Sequence, residues 1–136
     1  MAHKDVDTAV RSRLAAGFSG CPVYDEGQTG APSDASAFLV VQYPFSTSAQ
    51  ITAGDPENNV YRETGGIRFV LSVPRQRQAI EQGRQWAAEI ATLFRGKRFD
   101  GVRTYAPTSP VTDDGNDAGS YYKLAWVVPY DFDING

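Results

Sequence analysis

The side chains able to do chemistry are few in this chain, and their spacing suits little of it. His3 is the only histidine and lies near the terminus, where chains fray. Cys21 is the only cysteine. It precedes Pro22 in a loop, has no second histidine to activate it, and reads as a small apolar residue rather than a nucleophile. Without a Cys/His cluster there is no zinc pattern. Asp113-Asp114-Gly115-Asn116-Asp117 has some of the look of a calcium loop. Gly115 supplies no side-chain oxygen, however, and the next acid is Asp131, so a solvated turn fits better. Gly65-Gly66 precedes a strand and no Lys-Ser or Lys-Thr follows, which excludes a phosphate loop. Arg95, Lys97, Arg98 and Arg103 form a basic cluster at a helix end. It suits either a phosphate or the helix dipole itself. Asp131 and Asp133 are paired carboxylates without an evident apolar pocket to divide acid from base. No catalytic, cofactor-binding or metal-binding residue is assigned.

The 136 residues suffice for one domain, 1–136, with one core. Hydrophobic residues make up 41% and aromatic residues 12%, which is globular and not disordered composition. No apolar run approaches the ~20 residues that span a bilayer, and the polar start lacks the apolar core of a signal peptide. A lone cysteine fits a reducing compartment, so synthesis inside a cell is expected. Net charge is −3, against the basic footprint that general nucleic-acid binding needs. The charge is unevenly spread. Residues 1–74 carry 5 basic and 8 acidic groups, residues 75–103 carry 7 and 3, and residues 104–136 carry 1 and 5. That is either ordinary fluctuation or a self-complementary surface.

Elements follow from period and punctuation. A helix is expected over about 7–17, capped by Asp7, with Val6, Val10, Leu14 and Phe18 on one face. Residues 21–24 form a short extended piece. A strand over 38–45 is apolar on both faces, and Pro44 marks an edge or a bulge. The polar stretch 46–59 reads as the turn at the tip of a long hairpin, and Gly65-Gly66 as a bulge or bend. In Ile67-Arg68-Phe69-Val70-Leu71-Ser72-Val73 the hydrophobic period is two; beyond Pro74 it becomes 3.6. The helix so begun spans about 77–95, with Ile80, Gly83, Trp86, Ala87, Ile90, Leu93 and Phe94 inward and Gly96 as its left-handed stop. The mid-helix Gly83 points to close approach of helix and sheet. A short strand over 102–106 follows the Asp100-Gly101 turn, and a long amphipathic strand covers 121–132. The fold class is α+β: a mostly antiparallel sheet of about four to five strands, two main helices packed on it, and a long polar β-hairpin.

Several pieces, in this order and spacing, resemble the tail-terminator proteins of long-tailed, lambda-like phages and prophages. They are the opening Val6-Asp7-Thr8-Ala9-Val10-Arg11-Ser12-Arg13-Leu14, then Phe38-Leu39-Val40-Val41-Gln42-Tyr43, then Tyr61-Arg62-Glu63-Thr64-Gly65-Gly66-Ile67-Arg68-Phe69. Ala87-Ala88-Glu89-Ile90-Ala91-Thr92-Leu93-Phe94, Phe99-Asp100-Gly101-Val102 and Tyr122-Lys123-Leu124-Ala125-Trp126-Val127-Val128-Pro129-Tyr130 complete the set. The resemblance implies a non-enzymatic, typically hexameric ring. Such a ring caps the tail tube, stops its polymerisation and offers a docking surface to the head or neck. The implied partners are other copies of the chain, the tail tube protein and a head-completion or neck protein. DNA would meet it only by passing through the lumen, and no membrane or cofactor is implied. The implied place is the head-proximal end of the virion tail, after synthesis in the host cytoplasm.

Two alternatives stand beside this reading. One is another head–tail joining or minor tail protein. The other is a small enzyme or ligand-binding module using the basic cluster or exposed carboxylates. Candidate interaction residues are Asp55, Glu57, Asn58 and Arg62 on the hairpin, Arg95, Lys97 and Arg98 after the second helix, and Asp113, Asp114 and Asp117 in the acidic loop. The last two groups are expected to meet between copies, or across the contact with a tail or neck partner.

Overall fold

In the computed structural model, residues 3–25, 36–54, 59–112 and 121–135 are described. Their order is α1 (Lys4–Gly17), β1 (Val23–Asp25), β2 (Phe38–Gln50), β3 (Val60–Pro74), α2 (Arg77–Phe94), β4 (Arg98–Phe99), β5 (Val102–Thr104), β6 (Val111–Thr112) and β7 (Tyr121–Asn135). The strands form one sheet in the order β1-β2-β3-β7-β5-β4, with β6 also paired to β7. The described residues thus hold seven strands, more than the four to five expected. The surplus consists of pieces two residues long, too short to show an alternation. The sheet is mixed, because β1 pairs parallel to β2 while the other pairings are antiparallel.

Both helices lie on one face. Val6, Val10 and Leu14 of α1 and Ala87, Ile90 and Phe94 of α2 are buried against Ile67, Phe69, Leu71 and Val73 of β3. The alternating Leu124, Trp126, Val128, Tyr130 and Phe132 of β7 complete the core. Phe69 sits between Phe94 and Trp126, with ring centroids 5.2 and 5.5 Å away. Gly83 has the expected cause: a Cβ there would stand 2.9 Å from Val73 Cγ1. Gly96 is left-handed at φ 59°, as expected of a helix stop. Its N–H, however, reaches Tyr105 O and not the end of α2. The α2 terminus is instead met from α1: Arg13 Nε donates to Leu93 O at 2.6 Å, a cation on a C-terminal carbonyl.

Three sequence expectations change. First, α1 begins at Lys4 and its N-cap is His3, whose ring accepts from Asp5 N, so Asp7 is not the cap. Asp7 lies in the first turn and accepts from Tyr43 Oη and Arg11 Nε. Second, β2 runs paired as far as Gln50, so much of the polar stretch 46–59 is strand and not turn. Third, β3 passes Gly65-Gly66 unbroken, and the bulge lies opposite, between Gln42 and Phe45 at Pro44. The two glycines leave room for it. A Cβ on Gly65 would meet Phe45 O at 2.5 Å, and one on Gly66 would meet the Phe45 ring at 2.9 Å.

That bulge resets the strand. Val41 pairs with Phe69 on the helix-covered face. After the bulge Phe45 pairs with Gly66, which lies on the opposite face with Arg68 and Thr64. One inserted residue reverses which side every later residue faces. Phe45 thereby leaves the core face for the open one and is 55% exposed.

Candidate interaction surface

Two polar clamps hold the start of α1 to the sheet. Tyr130 Oη donates to Glu63 Oε2 at 2.7 Å, and His3 N lies 3.2 Å from both Glu63 oxygens. Glu63 is buried, and its carboxylate faces the positive end of the α1 dipole. Tyr43 Oη donates to Asp7 Oδ1 at 2.8 Å. Burial first, and then these carboxylates, push both phenols well above the ordinary tyrosine range. Burial also pushes the Cys21 thiol up to about 11, so it stays protonated and unreactive at neutral pH. These groups are structural.

The open face carries a second network. Arg62 makes a two-pronged contact with Asp133, Nε to Oδ1 at 2.8 Å and Nη2 to Oδ2 at 3.2 Å. Arg103 bonds Asp131 and also reaches Asp133 at 3.3 Å; Tyr105 Oη donates to Asp131. The residues come from β3, β5 and β7, whose register sets Arg62 opposite Asp133 and Arg103 opposite Asp131. The hydrogen bond from Arg62 holds Asp133 below the ordinary carboxylate range, with Arg103 adding to it. The same bonds raise both guanidinium groups. Two cations answer two anions, so the network orders the sheet and offers no unpaired group for acid or base work. Arg103 therefore leaves the basic cluster in which the sequence placed it.

Of the candidate interaction residues, Arg62 is engaged in that network, with its side chain 37% exposed. Arg95, Lys97 and Arg98 stand exposed at the α2–β4 junction and make no ion pair among the described residues. Only Arg95 adjoins the helix end; Lys97 and Arg98 belong to the β4–β5 hairpin, so the helix dipole does not account for them. Lys97 is pinned there through Thr104 N to Lys97 O at 2.8 Å. The Asp100-Gly101 turn has φ of 48° and 85°, the pattern of a two-residue hairpin turn. Asp55, Glu57, Asn58, Asp113, Asp114 and Asp117 lie outside the described residues. The structure does place Thr112, the residue before Asp113, on the same side of β7 as the β4–β5 hairpin.

Four large apolar side chains are exposed among the described residues: Phe45 (55%), Ile51 (43%), Tyr105 (48%) and Val111 (61%). None of the four is among the candidate interaction residues. The signal available was a lack of charge: residues 42–54 and 105–112 contain no Asp, Glu, Lys or Arg. Arg84, Ala87, Ala88 and Ala91 of α2 and Arg95 just beyond it, facing residues 107–110, line a groove of about 460 Å³. No described helix is long and apolar enough to cross a membrane.

Comparison with known proteins adds the family. The family model described as phage tail terminator protein matches residues 5–130. A solved structure superposes on the chain with a TM-score of 0.59 at 19% identity, covering 100% of this chain and 99% of that one, a likeness of fold. No functionally curated protein matches.

Proposed function

The chain belongs to the phage tail terminator family, and from that premise we propose that it forms a ring that caps the tail tube, halts its growth and presents a docking surface to the head or neck. The family is one of structural virion components, not of enzymes. The family match across residues 5–130 is the observation that carries this reading. The fold agrees with it: the polar groups of the two clamps and of the open-face network are paired within the molecule, while apolar side chains stand unpartnered on the sheet. A hexamer, with DNA passing only through the lumen, is the assembly the family resemblance favours. Synthesis in the host cytoplasm and residence at the head-proximal end of the tail go with it.

Within this proposal the hairpin of β2 and β3, with Arg62 on its stem and Asp55, Glu57 and Asn58 between its strands in sequence, reaches the neighbouring copy. The charge pairing of Arg95, Lys97 and Arg98 with Asp113, Asp114 and Asp117 takes one of its two expected forms. The β4–β5 hairpin, which Arg98 begins, and Thr112, which precedes the acidic run, adjoin the same side of β7, so a stacked tail or neck partner suits the pairing better than the next copy in one ring.

Tube polymerisation tests the function. Tail tube protein assembled with this chain is expected to give shorter tubes as the chain is added, and growth is expected not to resume from capped ends. Length distributions unchanged over a large molar excess would overturn the proposal.

A further inference from the structure

The groove between α2 and residues 107–110 is built within one subunit and is complete without a neighbour. Ala87, Ala88 and Ala91 line it from α2, and Tyr122 and Leu124 from β7. The facing wall is fixed to the sheet. Thr108 N donates to Val127 O at 2.9 Å, and Val127 N donates back to Thr108 Oγ1 at 2.9 Å. Pro107 and Pro110 bracket this clamp, and neither has an N–H to satisfy. A wall held in this way need not order itself around a ligand, which removes part of the cost of binding. At about 460 Å³ the groove falls within the roughly 300–1,000 Å³ of ligand sites.

Its charge is one-sided. Arg84 and Arg95 line it, and no Asp or Glu does. Both arginines are exposed, and neither makes an ion pair or a side-chain hydrogen bond among the described residues. From Arg84, Ala87, Ala88, Ala91 and Arg95 follow at three, four, seven and eleven residues, which is one face of a helix over three turns. The two cations thus mark the ends of a strip about 16 Å long, with alanines between them. The chain as a whole carries −3, so its overall field does not draw anions to this strip. The attraction is local. Two guanidinium groups set so far apart suit two separated carboxylates better than one compact anion. The alanine floor lets a peptide lie close, and it offers a sugar–phosphate backbone nothing to neutralise its phosphates.

We propose that this groove docks an extended acidic segment of a partner protein. The segment lies along α2 with one carboxylate on Arg84, a second on Arg95, and small side chains over the alanines. An extended chain advances about 3.3 Å per residue, so the two acids stand about five residues apart. The inference goes beyond ring assembly, because the groove needs no second copy to form.

Fluorescence anisotropy at low ionic strength tests it. The probe is a labelled peptide, Asp-Ala-Ala-Ala-Ala-Asp, blocked at both ends. It is expected to bind, its Asn counterpart is expected not to, and an isomer with the two acids adjacent is expected to bind several-fold more weakly. Arg84→Gln and Arg95→Gln are each expected to weaken binding by up to about fivefold, as exposed ion pairs do. Ala88→Trp fills the groove from an exposed position, so it is expected to keep the parent's melting curve and to abolish binding. No binding of the probe, equal binding of the Asn peptide, or unchanged binding to a folded Ala88→Trp variant would overturn the proposal. A single-stranded oligonucleotide of equal charge that displaces the probe more readily than unlabelled peptide would overturn it in favour of a general polyanion surface. Markedly tighter binding after Asp113, Asp114 and Asp117 are changed to Asn would overturn the partner, by making the chain's own acidic run the occupant.

Discussion

Tyr130 and Tyr43 each set a phenol against a carboxylate at the start of α1, and the arrangement has a pH signature. Both phenols are raised in the folded chain, while the unfolded chain ionises its tyrosines near pH 10. The folded state thus keeps protons that the unfolded state releases. Stability is complete below about pH 10 and falls as pH rises above it. Tyr130→Phe is expected to cost about 1–3 kcal/mol at neutral pH, because the buried Glu63 loses a donor. It should also flatten the alkaline loss. Denaturant melts of parent and variant at neutral and alkaline pH check both, and an unchanged alkaline slope would remove Tyr130 from the account. Asp133 works in the opposite sense. Its folded pKa is lowered, so its contribution is present above the ordinary carboxylate value and is lost as pH falls below it. The pair is solvent-exposed, so Asp133→Asn is expected to leave the neutral-pH melt almost unchanged and to weaken only the acid limb. None of these partnerships was legible in the sequence, because Glu63 and Tyr130 meet His3 and each other across 60 and 67 residues.

Among the elements, the turn of the chain at Pro74 positions the rest. β3 delivers Phe69 and Leu71 to the face on which α2 lays Ile90 and Phe94. Ile90→Ala is expected to lose about 2–5 kcal/mol, since Ile90 is fully buried and the site cannot collapse around a helix held at Gly83. Trp86→Ala should lose less, as Trp86 is half-buried, resting on Phe18 with the rings edge to face at 6.1 Å. Thermal or denaturant melts decide the ranking. Deleting residues 50–58 is expected to leave the core intact and to abolish ring formation, and a deletion variant that still caps tubes would exclude the hairpin from assembly. This long-range frame was legible in the residues. The change of period across Pro74, the alternation of Tyr122 to Phe132 and the Asp100-Gly101 turn each have a local cause. What was not legible depends on a partner strand. The bulge at Pro44 was anticipated, but the exposure of Phe45 follows only from the register with Gly66. Two-residue strands such as β4 and β6 exist by pairing alone. The start of α1 shifted because its cap is a histidine ring and not the nearer aspartate.

On the scale of the whole molecule, one face of the sheet is filled by helices, while the other carries a neutralised charge network and the exposed side chains of Phe45, Tyr105 and Val111. Under the proposed function such a subunit is bounded by copies of itself. Of the candidate site the sequence offered an uneven charge, whose acidic loop lies outside the described residues. The exposed apolar side chains were not legible, because Phe45 comes to the open face only through the register of β2 with β3. The measurement that bears most directly on the account is imaging of tail tubes assembled with this chain. The account predicts a ring at one end of each tube, six-fold when viewed along the axis, and built of chains of 14.8 kDa. Tubes with bare ends, beside a chain that stays monomeric, would contradict it.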